Sequence, residues 1–398
     1  MRHLGLLVAA TLALCVVLHP APARAATLTT DPRAYDQGFL SDPAAAIAAA
    51  RKRVSEGDLD GAIRELSKYV AAHPRDVDPA RYLGDLYYRI PDLASAERQY
   101  LSILLLFPND RETHNRLGGI YAAQDRLNDA IAEFQKSLPD LVALPSLVRL
   151  HRVKGDLPAF EAKYRRLADD YPSDAPAQAE YGKVLLYEGN KAREALAQFQ
   201  KVLDLGPAGG EPREVIYADM GWAYLDLNDP KSAIGALRHA LRIAPNYYGA
   251  LVNLGEAYIE QSDFKTAKTY FNLARTANPD GVEALVDLGY IEDQNQSWKN
   301  AILLYQQAIA INPLARDAYV NLGYDYREHA MFSLAEAALL KGLSVSPGDA
   351  WLHYLLATVY SDQGKHALFR AEIEKAAKAD DPVVSPVAKR ELARLEKA

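Results

Sequence analysis

Four prolines stand 34 residues apart, at Pro245, Pro279, Pro313 and Pro347. Gly221, Gly255, Gly289 and Gly323 keep the same step, and so do Ala233, Ala267, Ala301 and Ala335. Three interleaved series in phase do not arise by chance. A period of this length marks a solenoid of helix–turn–helix units, each burying its apolar face only against its neighbours. The fold class that follows is all-α, and the functional question moves from catalysis to binding.

One unit, 248–281, shows how the period works. Leu251, Leu254, Gly255 and Tyr258 fall on the stripe of one amphipathic helix. Ala267, Phe271 and Ala274 repeat that spacing on a second helix, and Pro279 follows, where helical structure must stop. Glycine inside a helix costs up to about 1 kcal/mol against alanine. It nevertheless returns at Gly84, Gly118, Gly182, Gly221, Gly255, Gly289 and Gly323. The expected compensation is close approach of the paired helices, with the small alanines facing the glycine.

These slots resemble the tetratricopeptide repeat, with Leu-Gly-x-x-Tyr on the first helix and Ala, Phe, Ala and Pro along the second. Three units carry Leu83-Gly84-Asp85-Leu86-Tyr87, Leu117-Gly118-Gly119-Ile120-Tyr121 and Leu254-Gly255-Glu256-Ala257-Tyr258. The resemblance covers about 43–382 and implies an α-solenoid of about ten repeats, wound as a right-handed superhelix. Their expected bounds are 43–76, 77–110, 111–140, 141–174, 175–209, 214–247, 248–281, 282–315, 316–349 and 350–383. The fourth has Val148 for glycine and Phe160 for alanine, so its helices are expected to stand farther apart. The chain then divides into a lead-in over 26–42, an N-terminal array over 43–138, an irregular joint over 139–213 and a regular array over 214–383. The joint includes a loop at 208–212 outside the repeat. A capping helix over 384–398 closes the chain, with Val387, Leu392 and Leu395 covering the last unit.

Residues 1–25 read as a secretory signal: Arg2, an apolar run from Leu4 to Leu18, and Ala23-Arg24-Ala25 for cleavage. A run of about 15 residues falls short of the roughly 20 that span a bilayer, which weighs against an uncleaved anchor. No later segment could span one. Leu14, before Cys15, is too large for a lipoprotein signal. Cleavage after Ala25 would leave a periplasmic or secreted chain without cysteine, so disulfides, thiol chemistry and cysteine-bound zinc are not expected. It would also leave 43 basic against 52 acidic residues, a net charge of −9. That argues against nucleic acid and against anionic lipid as partners.

No glycine-rich phosphate loop, Gly-x-Ser-x-Gly or His-Glu-x-x-His occurs. The chain reads as non-catalytic, with no cofactor, metal or catalytic residue expected. His114 and His353 fill slots that are apolar in the regular units and are expected in the core or half-buried. What remains is a surface, and the resemblance implies that the first helix of each repeat lines a concave face. One residue past the repeat glycine stand Trp222, Glu256, Tyr290 and Tyr324. Farther along the same helices lie Asp226, Glu260 and Asp293, and Trp351 and Tyr354 extend the row.

Two readings of that row stay open. The aromatics either complete the packing between repeats or anchor a protein or peptide in a groove. Its acid edge would favour a partner carrying lysine or arginine. The family's clamp for a C-terminal carboxylate is not expected: Asn253 and Asn321 fit its asparagine slots, but Val252, Glu256, Val320 and Tyr324 stand where basic residues would be needed. Glu292 replaces the tyrosine of the other strong units and requires either solvent or a partner. The expected function is an exported scaffold for protein–protein interaction, which the resemblance places in envelope assembly or secretion. The alternative is a glycan-binding scaffold in polysaccharide export, its rings stacking on sugars.

Overall fold

The computed structural model of the protein describes residues 42–395, except 91, 139–142, 207–211, 313, 380 and 382. The signal, the lead-in up to residue 41 and all but the last residue of the 208–212 loop lie outside the described residues, as does the side chain of Leu395. Among the described residues there are twenty-one α-helices and no strand. They form ten consecutive pairs and one closing helix, as the period predicts, and the chain divides into two compact units after Pro245.

The first unit holds repeats 1 to 6. Their pairs are Pro43–Ser55 with Leu59–Ala72, Val77–Arg89 with Leu93–Leu106, Arg111–Ala123 with Leu127–Ser137, Ala143–Lys154 with Leu157–Asp170, Ala175–Tyr187 with Ala192–Leu205, and Arg213–Asp226 with Pro230–Ile243. The second unit holds repeats 7 to 10: Tyr248–Glu260 with Phe264–Ala277, Glu283–Gln294 with Trp298–Ile311, Arg316–Glu328 with Phe332–Val345, and Ala350–Asp362 with His366–Lys378, then Val384–Leu395. Within this unit each first helix also touches the first helix of the next repeat, so four first helices lie side by side.

Local chemistry sets the boundaries. Asp58, Asp92, Asp229 and Asp263 each accept a hydrogen bond from the backbone N–H three residues on, and so cap the second helix of their repeat. Asp110, Asp174 and Asp349 cap first helices in the same way. The turn inside a repeat places one residue in the left-handed region. It is glycine at Gly57, Gly155, Gly189 and Gly364, but Asp125, Asn228, Ser262, Gln296 and Ala330 elsewhere. Alanine gains nothing from that conformation (φ 57° at Ala330). Ala330→Gly is therefore expected to stabilise the second unit by about 0.5–1 kcal/mol, the relief of left-handed strain less the entropy glycine adds to the unfolded chain. Thermal melts of the two proteins side by side would show it, and a lower melting temperature for the glycine variant would refute it.

The repeat glycines do permit close approach, but the partner differs from the expected one. A Cβ at Gly255 would lie 2.5 Å from Phe271 Cε1, at Gly289 2.4 Å from Tyr305, and at Gly323 2.5 Å from Leu339. The bulky second-helix side chain covers the glycine. The alanine series is packed as tightly: Ala233, Ala267, Ala301 and Ala335 have no exposed surface. In repeat 4 both Val148 and Phe160 are buried, and the His151 ring stacks on Phe160 at 4.3 Å. The larger side chains fill the space that glycine and alanine leave closed elsewhere.

Both core histidines are buried, and their settings are alike. His114 Nε2 donates to the Pro108 carbonyl at 2.8 Å, while Nδ1 lies 2.5 Å from a Glu133 carboxyl oxygen. His353 does the same with Pro347 and Glu372. The closing helix buries Val384, Ser385 and Ala388, with Val387 and Leu392 half-buried. Ser385 Oγ meets the carbonyls of Ala376 and Ala379, and so satisfies the end of the preceding helix.

Candidate functional site

Trp222 and Asp226 lie in the first unit, on Arg213–Asp226. Trp222 is half-buried, its ring tilted against Tyr187 at 5.3 Å. Asp226 is also half-buried, and desolvation pushes its carboxyl above the ordinary value. The other seven residues of the row lie in the second unit. Trp351 is only 7% exposed and belongs to the packing. Tyr290 and Tyr354 are half-buried, while Tyr324 is 43% exposed. The row therefore divides between the two readings: its tryptophan at 351 is core, and Tyr324 is free to meet a partner.

The acids form the sharper feature. Glu256 is pushed up to about 8, first by burial and then by Glu260, Glu283 and Asp317. Asp287 is raised well above the carboxylate range, by burial and then by Glu256, Glu283 and Asp317. Repeats 7, 8 and 9 thus bring carboxyls from three adjacent first helices into one field. Glu260, at the exposed end of its helix, is also raised by burial of its carboxyl.

A second group follows one turn along. Asp293 is raised by burial and by Glu328, against the lowering effect of His329. Asp325 is pushed up to about 8 by burial, Asp293 and Glu328. Nearby cations are already engaged. Arg316 pairs with Asp317 and Asp349, and Arg327 with Asp362 at 2.6 Å and Glu328 at 3.1 Å. Tyr248 donates to Glu283 at 2.6 Å.

Other residues resolve simply. Glu292 binds Lys268 and is drawn below its ordinary value by that bond, so the carboxylate in a tyrosine slot has its partner. On the other side of the same repeats, a hollow of about 310 Å³ opens beside Lys268, Asn272, Arg275, Leu303 and Gln307. Among the described residues, no group of His, Cys, Asp or Glu is arranged to hold a metal ion, and no helix is long and apolar enough to cross a membrane.

Family models described as tetratricopeptide repeat match residues 47–110, 92–143 and 224–288. Those segments carry tetratricopeptide repeats. No curated protein matches it in sequence. Similar solved structures include a human IFIT1 dimer with PPP-AAAA, 17% identical over 72% of this chain and 72% of that one, with a TM-score of 0.49. The APC/C hetero-tetramer Cut9-Hcn1 is 18% identical over 91% of this chain and 85% of that one, at 0.48. MamA is 25% identical over 47% of this chain and 97% of its own, at 0.35. None of these carries a partner over to this chain. Tetratricopeptide arrays are protein-binding scaffolds, and non-catalytic ones as a rule.

The repeat phase points to Glu256, Glu260 and Asp293 but not to Glu283, Asp287, Asp317 or Asp325. One signal was present. The slot two residues past the repeat glycine holds Leu86, Ile120, Val184, Ala223, Ala257 and Ile291, and then Asp325. A carboxylate in a tetratricopeptide core slot stands out once the repeats are aligned on that glycine.

Proposed function

We propose that this chain is an exported, non-catalytic scaffold that holds a basic segment of another protein along the first helices of repeats 7 to 9. One observation carries the reading: Glu256, Asp287, Asp293 and Asp325, on adjacent helices, are all raised from their ordinary values, first by burial. Such a row stores unfavourable desolvation and like-charge repulsion. A cationic partner relieves both, and complementarity of this kind also speeds encounter. Half-buried Tyr290 and Tyr354 and exposed Tyr324 offer rings for the partner's apolar parts. Arg2, the apolar run to Leu18 and Ala23-Arg24-Ala25 support export, with the cell envelope as the place of work.

The test uses mature 26–398 as bait in an envelope extract, beside a Tyr290→Ala, Tyr324→Ala variant of matched helicity. The expected result is a protein with a basic segment captured by the unmodified bait and lost from the variant. Equal capture by both would move the interface off this row. A bound polysaccharide in place of a protein would favour sugar stacking instead. Export has its own readout: the protein recovered from cells should begin at Ala26.

A further inference from the structure

Asp325 is 2% exposed, and its Oδ2 has no hydrogen-bond partner. The equivalent residues of six other repeats are apolar and buried: Leu86, Ile120, Val184, Ala223, Ala257 and Ile291. An ionisable oxygen in that setting is costly unless something compensates it. Its electrostatic neighbours make matters worse. Asp293 on the adjacent first helix and Glu328 on its own helix both carry negative charge. The buried Tyr305 ring, on the second helix of repeat 8, feels the same field and is driven well above its ordinary value by burial, Asp325 and Asp293. No cation on these elements answers it. Arg327 is engaged by Asp362 and Glu328, and His329 Nδ1 lies against the Asp325 backbone carbonyl with its ring stacked on Trp298 at 4.2 Å.

Resting on the basic-partner reading above, we propose that Asp325, Asp293 and Glu328 form a receptor for one lysine side chain of that partner. The ammonium meets Asp293 and Glu328 first, and Asp325 turns its unpartnered oxygen towards it. Three carboxylates suit an ammonium, which is compact and carries three donors, better than a planar guanidinium, whose fork matches a single carboxylate. The lysine stem lies along Tyr290 and Tyr324, as long cationic side chains cover apolar surface with their methylenes. Asp325 thereby supplies a charge held in low dielectric, where attraction to a cation is stronger than at a solvated rim.

Mature 26–398 is titrated at low ionic strength with three probes: tetralysine, tetra-arginine and tetralysine acetylated on every side chain. The expected order is tetralysine first, tetra-arginine weaker and the acetylated peptide without measurable binding. Asp325→Asn, which keeps shape and folding, should weaken tetralysine by roughly tenfold or more, as loss of a charged hydrogen bond does. Half-buried Asp293→Asn should weaken it as well, and exposed Asp169→Asn in the first unit should not. Carboxyl carbon NMR adds a readout that a merely structural role would not move: saturating tetralysine should lower the titration midpoint of Asp325. Equal affinity for Asp325→Asn and the unmodified protein, or an unmoved midpoint, overturns the receptor. If the bait captures a protein through Tyr290 and Tyr324 while Asp325→Asn captures it equally, the groove stands and the lysine receptor alone falls.

Discussion

Asp325→Ala makes the protein more stable, and the gain is larger at pH 8 than at pH 4. Alanine is what repeats 6 and 7 carry in this slot, at Ala223 and Ala257, both without exposed surface. The backbone there accepts a methyl group with no polar atom to satisfy. Asp325 instead keeps its carboxyl near 8, against an ordinary 3.8. Below about pH 4 the carboxyl is protonated in both folded and unfolded chains, and the two proteins differ only by packing and one buried polar group. Between about 4 and 8 the unfolded chain releases its proton while the folded chain holds on to it. Stability of the unmodified protein therefore falls relative to the variant across that window, and the difference levels off above it.

At about 1.4 kcal/mol per pKa unit the ceiling is on the order of 6 kcal/mol. Loss of side-chain volume and relaxation around the charge reduce the expected gain at pH 8 to about 2 kcal/mol. Repeat arrays need not unfold in one step. The measurement is therefore local: hydrogen exchange across Arg316–Glu328 in both proteins at several pH values. Faster exchange in the variant at pH 8, or a difference that ignores pH, would show that Asp325 is satisfied in a way its surroundings do not reveal. Glu256 and Asp287 remain in both proteins, so their own titrations cancel in the comparison.

The solenoid was readable because its determinants recur. A residue such as Gly255 is ambiguous alone, but seven glycines in one slot, each under a second-helix side chain, fix two helices and their contact. The slot of Phe271 was legible for the same reason. What covers the glycine was not, because a period locates positions without saying which side chains meet. The acids were legible only in part. Tyr324 and Glu256 stand one residue past the repeat glycine, where solvent-facing positions vary freely and any residue passes without notice. Asp325 stands two past, where the equivalent residues are apolar, and the charge it feels comes in part from Asp293 of the preceding repeat. Charges such as Asp287 and Glu256 lie 31 residues apart in the chain and meet only because adjacent first helices lie side by side.

These observations share one physical pattern. Positions that hold the array together, such as Ala267 and Gly289, change only together with their partners across the helix pair. The first-helix row of repeats 7 to 9 gives up stability to keep carboxyls where they are poorly solvated. Asp325 is the extreme case, since the same slot is filled by apolar side chains in six other repeats. On the lysine-receptor proposal, stability and affinity should move in opposite directions when Asp325 is changed.

Ala267→Leu should do the reverse and cost stability outright. Ala267 has no exposed surface and shares its helix face with Phe271 and Ala274, both fully buried. Three added carbons must enter a fully buried site, and overpacking of this kind costs about 1–3 kcal/mol. A domain of this size loses roughly 2–4 °C of melting temperature per kcal/mol, so a fall of about 2–12 °C is expected for the transition of the second unit. Thr269→Leu, two residues on and exposed, is the matched control and should shift it by no more than about 0.5 kcal/mol. Repeat 4 shows why size alone does not decide the outcome. Phe160 fills this same slot there, but with Val148 where repeat 7 has Gly255, and with His151 stacked on its ring where repeat 7 has Tyr258. The larger side chain is accommodated only when its partners across the helix pair change with it. Ala267→Leu with an unchanged transition would mean that repeat 7 holds space between its helices, and that Gly255 under Phe271 does not set their separation.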